Sequence, residues 1–250
     1  MKTNMSVRKD LLIPDIHAPD HNKNVIGAIL EYAKWYKPDG VYLPGDVGGF
    51  ESVSHWIHHR NKNFTLEGKR IAKDMSAVQD IMNEINKATP TATKRIVTLG
   101  NHEDWVDQYI DEHPVCKGSY DFDVVARYSE MGYTCIKFNE PYRNGKLLLF
   151  HGIYVNKYHT AKTVAVFGRS CIYGHTHDHQ VFEDIFWKDR HMAMSIGCAC
   201  DQNPDYLRNR PTKWVHGFAT IEFFSSGNFT VDFINIINGN FSRNGKVYGG

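Results

Sequence analysis

The sequence lacks the long apolar runs of a membrane protein. No stretch approaches the roughly 20 apolar residues of a span, and the opening MKTNMSVRKDLLIPDIH holds no apolar core for a secretory signal. A cytoplasmic protein without membrane contact is expected. An excess of charge is lacking too: 29 basic and 28 acidic residues leave a net +1. That excludes a global basic field holding nucleic acid by counterion release, though not a local patch. Repeats and low-complexity linkers are absent. Cysteines are few (Cys116, Cys135, Cys171, Cys198, Cys200), odd in number and scattered. Such a set argues for free thiols in a reducing compartment rather than a disulfide framework. Cys198 and Cys200 stand two apart, on one face if the segment is a strand. They read as a buried pair, with no second cysteine pair to complete a zinc set.

What is present is ordinary in bulk and unusual in one respect. Apolar residues make up 42% and charged residues 23% of 250, enough for a core without staples. Histidines number 14, and histidine is the commonest imidazole metal ligand and the near-neutral acid or base. The first third alternates strand and helix patterns: an apolar run at 11–16, a helix over 22–37 stopped by Pro38-Asp39-Gly40, a strand at 41–43, a helix near 66–87 and a strand at 95–99. Two short helices are expected within 104–133, strands at 134–138 and 146–150, an apolar helix stripe over 158–167 destined for the core, and a strand at 171–173. Strands follow at 184–187, 192–197, 217–224 and 229–236, the last two joined by a Gly227-Asn228 turn.

Five of these strands end in a polar cluster: Asp15/His17, Asp46, Asn101/His102, His151 and His175/His177. Ligand sites of α/β sheets lie beyond the carboxyl ends of strands, so the five ends point to one crevice. The cluster offers oxygen and nitrogen and no thiolate, which suits Mn, Fe, Zn or Co. It holds too many side chains for one ion, and it suits two sharing a carboxylate.

Asp15-x-His17, Gly45-Asp46, Gly100-Asn101-His102-Glu103, His151-Gly152 and Gly174-His175-x-His177 resemble, in order, the five motifs of calcineurin-like metallophosphoesterases. Ser52-Val53-Ser54, Gly197-Cys198-x-Cys200-Asp201 and Trp214-x-His216-Gly217 resemble bacteriophage members, which would place the protein in a host's cytoplasm. The resemblance implies a four-layer α/β/β/α sandwich of two mixed β-sheets flanked by helices. It implies a single domain over 1–250, with substrate-facing insertions near 50–95 and 104–145. By this resemblance Asp15, His17 and His177 hold one metal ion, Asn101, His151 and His175 hold another, and Asp46 bridges them. Manganese is the first expectation, with Fe, Zn, Co or Ni as substitutes. His102 stands outside as the acid meeting the leaving oxygen, or as a donor to the transition state. Glu103 either orients His102 from behind or favours the helix N-terminus. One departure is visible: many relatives carry a second acidic residue soon after Gly-Asp, where this chain reads Val47-Gly48-Gly49. The variant with a tyrosine ligand is not supported.

The implied reaction is hydrolysis of a phosphomonoester or phosphodiester by a metal-bridging hydroxide. The expected partner is a phosphate-ester substrate, with nucleotides and nucleic acids among the candidates. A DNA nuclease is the alternative, and would need a groove for several phosphates. A non-catalytic binding scaffold, as a retromer subunit of this superfamily is, is a second. Such scaffolds lose ligands or the catalytic histidine, and this chain keeps all of them. Possible substrate contacts are His55 and Arg60 in the basic segment that also holds His58 and His59, Arg208 with Arg210 and Lys213, and His216. No cysteine is expected to serve the hydrolysis.

Overall fold

A computed structural model describes residues 7–55, 68–187, 189–204 and 207–250. Two large mixed sheets carry the chain. The first is built from β1 (Arg8–Leu12), β2 (Gly40–Leu43), β3 (Lys94–Thr98), β4 (Thr134–Ile136), β10 (Gly217–Phe223) and β11 (Phe229–Asn235), in the spatial order β11-β10-β1-β2-β3-β4. Strands β1 to β4 run parallel, and β10 and β11 are added antiparallel. The second sheet is built from β5 (Tyr142–Asn144), β6 (Leu147–Leu149), β7 (Ser170–Tyr173), β8 (His179–Phe186) and β9 (Asp189–Ile196), in the order β5-β6-β7-β9-β8. Here β6, β7 and β9 run parallel between antiparallel edges.

Period-two side-chain alternation divides each central strand between two layers. Leu12, Tyr42 and Ile96 of the first sheet meet Leu147, Leu149, Ile172 and Ile196 of the second in one apolar layer. Their neighbours Leu11, Val41 and Val97 face away, into the layer of α1 (Lys23–Tyr36) and α2 (Ile71–Ala88). On the other side Leu148, Cys171 and Tyr173 pack with Val164 of α5 (His159–Phe167). The result is the expected helix–sheet–sheet–helix sandwich. Burying each such side chain is worth about 1.5–3 kcal/mol.

Local chemistry explains the element ends. Asn22 caps α1, its side chain accepting from the amides of Asn24 and Val25 at 3.1 Å each. Lys37 closes α1 in the left-handed conformation, φ 51°, and Pro38 forbids continuation. Helix α3 (Asn101–Glu112) starts at the motif itself, earlier than the sequence suggests, and α4 (Val124–Glu130) follows two single 3-10 turns.

Two sequence expectations are corrected, and one element is new. Strands β8 and β9 pair over eight residues each, longer than their apolar pattern, because a ladder needs main-chain partners rather than apolar side chains. The 158–167 stripe enters the core mainly at Val164, with Phe167 packed against it, while Tyr158 and Val166 are exposed. The helix buries His159, Thr160 and Thr163 instead. An unanticipated hairpin, β12 (Phe241–Arg243) and β13 (Lys246–Tyr248), turns at Asn244-Gly245, both at positive φ. It sets Phe241 and Tyr248 against Tyr32 of α1. Among the described residues, no helix is long and apolar enough to cross a membrane.

Candidate metal centre

Strands β1, β2 and β3 of one sheet and β6 and β7 of the other each run into a sharp turn bearing one of the polar motifs. The turns are strained: Asp15, His17, Asp46, His175 and His177 all have φ between 43° and 66°. Such backbone costs on the order of 1–3 kcal/mol per residue and persists where surrounding structure enforces it, commonly at functional sites. Glycines make the close approach feasible. A Cβ on Gly100 would overlap Asp46 Oδ1, and one on Gly174 would overlap Asp15 Oδ2.

The side chains converge as two adjoining groups. In the first, His177 Nε2 lies 3.2 Å from Asp15 Oδ1 and 3.2 Å from His17 Nε2, and His17 Nε2 lies 3.7 Å from Asp46 Oδ2. In the second, His151 Nε2 lies 3.3 Å from Asp46 Oδ2 and 2.9 Å from Asn101 Oδ1, and the His175 ring stands 4.7 Å from the His151 ring. Asp46 Oδ2 faces both groups. Asp15, His17, Asp46, His151 and His177 are all buried. Two imidazole nitrogens facing each other across 3.2 Å inside a protein require a proton or a cation between them. The oxygen and nitrogen donor set therefore fits divalent or trivalent metal ions of the Mn, Fe, Zn, Co or Ni kind.

Outer contacts aim these ligands. The Pro44 carbonyl lies 2.8 Å from His151 Nδ1, which fixes the tautomer that leaves Nε2 free to bind metal. The His175 amide donates to both oxygens of Asp15, at 2.9 and 3.0 Å. Glu103, only 1% exposed, does not orient His102. Its oxygens accept from the amides of Asp46 and Val47 at 2.9 Å each, Gly48 at 3.4 Å and Gly100 at 2.8 Å, and from the Tyr128 hydroxyl at 2.8 Å. It ties the Gly-Asp turn to the start of α3. Burial, then the Asp46 charge, pushes its pKa up.

Burial alone would strip protons from all these imidazoles. It prevails at His17, held well below its usual pKa, and at His175, lowered to about 3 with help from the His151 charge. At His151 and His177 burial also acts downward, yet carboxylates overcome it: Asp46 raises the first to about 9, and Asp15 raises the second to about 9. At Asp46 burial acts upward, and the charges of His151 and His102 outweigh it, holding the carboxyl well below its ordinary range. Near pH 7 the two raised imidazoles thus keep their protons. Metal loading should displace about two protons per chain, one from each raised imidazole. Affinity should rise with pH and level off above about 9. Calorimetry in buffers of different ionisation heat reads this directly, and loading near neutral pH without proton release would contradict it.

His102 sits at the rim. Its amide donates to Asp46 Oδ1 at 3.0 Å, its Nδ1 lies 2.5 Å from the Gly49 carbonyl, and its Nε2 lies 3.8 Å from Asp46 Oδ2. Trp105 lies against its ring with centroids 3.8 Å apart. The other sequence candidates fare differently. His55 follows the Glu51–Val53 turn, half-buried, while His58, His59 and Arg60 lie outside the described residues. Arg208 and Arg210 are exposed. His216 Nε2 lies 2.9 Å from the Cys200 carbonyl, and the residue lines a separate hollow with Asn22 and Gln202 rather than the ligand cluster.

Sequence reasoning missed three neighbours. Trp214 stands edge-on to His177, centroids 4.2 Å apart. Tyr128 anchors Glu103. Cys200, buried beside Cys198 in the loop after β9 rather than in a strand, places its sulfur 3.7 Å from His177 Nδ1. The cysteine expectation is therefore narrowed: one thiol touches a candidate ligand from behind. The Trp-x-His signal marked the Trp214 region, but nothing local marked which face it covers.

Residues 11–234 match the family model for calcineurin-like phosphoesterases. The chain belongs to that family. No curated protein matches it. Solved structures with a similar fold include Vacuolar Protein Sorting 29 from Cryptosporidium parvum, at 15% identity and TM-score 0.48, covering 98% of this chain and 96% of that one. Another is Yfce, a phosphoesterase from E. coli, at 13% and 0.40, covering 88% and 93%. A third is a dimetal phosphatase from Danio rerio, at 10% and 0.43, covering 90% and 98%.

Proposed function

We propose that this protein is a dinuclear-metal phosphoesterase that hydrolyses a phosphomonoester or phosphodiester. The observation that carries this reading is Asp46 Oδ2, which faces both His17 and His151 at the meeting of two groups of buried and half-buried nitrogen and oxygen donors. Asp15, His17 and His177 would hold one ion, Asn101, His151 and His175 the other, and Asp46 would serve both. Bound there, the ions supply Lewis acidity to the phosphoryl oxygens and lower the pKa of water. The chain's own residues do the rest. The buried carboxylates and imidazoles orient the ions and exclude bulk water. His102, held by Gly49 through Nδ1, turns Nε2 toward Asp46 at the edge of the donor cluster, where it would give the leaving oxygen its proton. The intact donor set favours this over a scaffold.

A metal-reconstituted screen of nucleotides, cyclic nucleotides, single- and double-stranded DNA and an aryl phosphodiester tests the reading, with manganese first. Full metal loading with no turnover of any ester would favour the scaffold, and turnover confined to DNA would favour the nuclease.

His102→Gln tests the acid role. The glutamine keeps a polar donor but cannot deliver a proton, a contribution typically worth about 10²–10⁴-fold. Metal content should persist, and the loss should be large for an alkyl leaving group and smaller for an aryl one, which departs as a stable anion. Equal losses would make His102 a stabiliser of phosphoryl charge instead, and loss of metal would make it a ligand.

A further inference from the structure

A hollow of about 390 Å³ adjoins the metal centre, within the roughly 300–1,000 Å³ of small-molecule sites. One wall is His175, a candidate ligand, and Trp214, whose ring leans on His177. Lys157 and Lys213 also line it, with Asn156 and Thr212 beside them. The two lysines come from separate parts of the chain, the loop between β6 and α5 and the loop between β9 and β10. Neither ammonium has a carboxylate within ion-pair distance among the described residues; that of Lys157 lies over the Tyr158 ring at 5.2 Å. Their backbones are held in place. The Lys157 carbonyl accepts from Gln180 Nε2 at 3.1 Å, and Val215, two residues beyond Lys213, donates its amide to the His177 carbonyl at 2.8 Å.

One anion shares the wall, and it is already engaged. Asp178 Oδ1 accepts from Thr176 Oγ1 at 2.7 Å and Ser195 Oγ at 2.9 Å, and its Oδ2 lies 3.2 Å from His159 Nε2. Asp178 keeps its negative charge in this network, and the two lysines of the lining outweigh it, so the hollow carries a net positive charge.

We infer that this hollow is a subsite for a second phosphate of the substrate, held between Lys157 and Lys213 while the reacting phosphate sits at the metal centre. This rests on the phosphoesterase reading above and sharpens it. The substrate is then a nucleotide-sized ester carrying two phosphates rather than an isolated monoester. Trp214 offers an aromatic edge to what joins them.

Two probes differ only in the second phosphate: the p-nitrophenyl ester of thymidine 5′-monophosphate, and the same ester with a 3′-phosphate. The Lys157→Ala/Lys213→Ala double variant should lower the kcat/KM ratio of the second probe to the first by roughly 10- to 100-fold, mainly through KM, as expected for lost charge-assisted hydrogen bonds. Lys→Arg at both positions should restore much of it. Equal change for both probes, or none, overturns the subsite. If the native protein turns over neither ester, the phosphoesterase reading fails first, and the subsite is then read by calorimetry. Thymidine 3′,5′-bisphosphate should bind the metal-loaded double variant at least about tenfold more weakly than the native protein; equal binding overturns the subsite. Competition by hexathymidylate separates the sources of the phosphate. Lysine-dependent competition assigns the subsite to a strand, and lysine-dependent binding of the bisphosphate alone assigns it to a free nucleotide.

Discussion

Asp46→Ala should deprive the protein of both metal ions at once. Asp46 Oδ2 stands 3.3 Å from His151 Nε2 and 3.7 Å from His17 Nε2, so the two donor groups meet at this one carboxylate. Its removal takes an anionic ligand from each group. Affinity at both positions should fall by more than the roughly 10–100-fold typical of losing an outer partner, and hydrolysis should drop to background. The raised pKa of His151 should fall as well, because Asp46 is what opposes burial there. Asp46→Asn keeps an oxygen to accept the His102 amide, so it separates lost charge from lost structure. Metal analysis under saturating manganese, with circular dichroism to check folding, decides the matter. Loss of one ion with the other bound at full affinity would end the bridging assignment.

Glu103→Ala should produce the largest loss of stability outside the apolar core. It orphans buried donors of the Asp46, Val47, Gly48 and Gly100 amides and of the Tyr128 hydroxyl. One unsatisfied buried donor costs about 1–3 kcal/mol; with partial relaxation and water entry, about 4 kcal/mol in total is expected, near the upper end for single changes. Glu103→Gln keeps the shape but turns an amide nitrogen toward amide donors, and should cost about 1–3 kcal/mol. Tyr128→Phe removes one bond and should cost about 1 kcal/mol. The turn carrying Asp46 should loosen in the same order, so metal affinity should follow stability across the three variants. Urea midpoints test this, and a Glu103→Gln midpoint equal to that of the native protein would refute it.

Much of the candidate site was legible because its signals are local. An apolar strand followed at once by Asp-x-His or Gly-His-x-His declares both the strand end and the ligand types, and Asn22 and Pro38 bracket α1 by capping and by steric exclusion. Those features depend on residues within a few positions of each other.

Other features were not legible, and the reason is distance along the chain. The His175 amide finds Asp15 across 160 residues, and Glu103 finds the Asp46 amide across 57. A side chain accepting main-chain hydrogens leaves no trace in its partners' identities, since every non-proline residue offers the same amide. Glu103 therefore read either as an escort of His102 or as a residue of the helix N-terminus; it does cap that N-terminus at Gly100, and it also anchors the distant Asp46 turn. Cys200 looked like filler for the same reason. The 158–167 stripe read as core because its periodicity does not reveal that His159, Thr160 and Thr163 meet buried polar partners there.

By itself, then, the sequence determined which residue types stand at the strand ends, in which order, and the chemistry they can perform together. The tertiary structure alone decided that two sheets bring those ends to one place. It also put Asp46 between the two donor groups, a thiol and an indole against His177, and Lys157 and Lys213 around one hollow. Local sterics and hydrogen bonding write themselves into short stretches of sequence, whereas the meeting of distant loops is settled by how the layers pack.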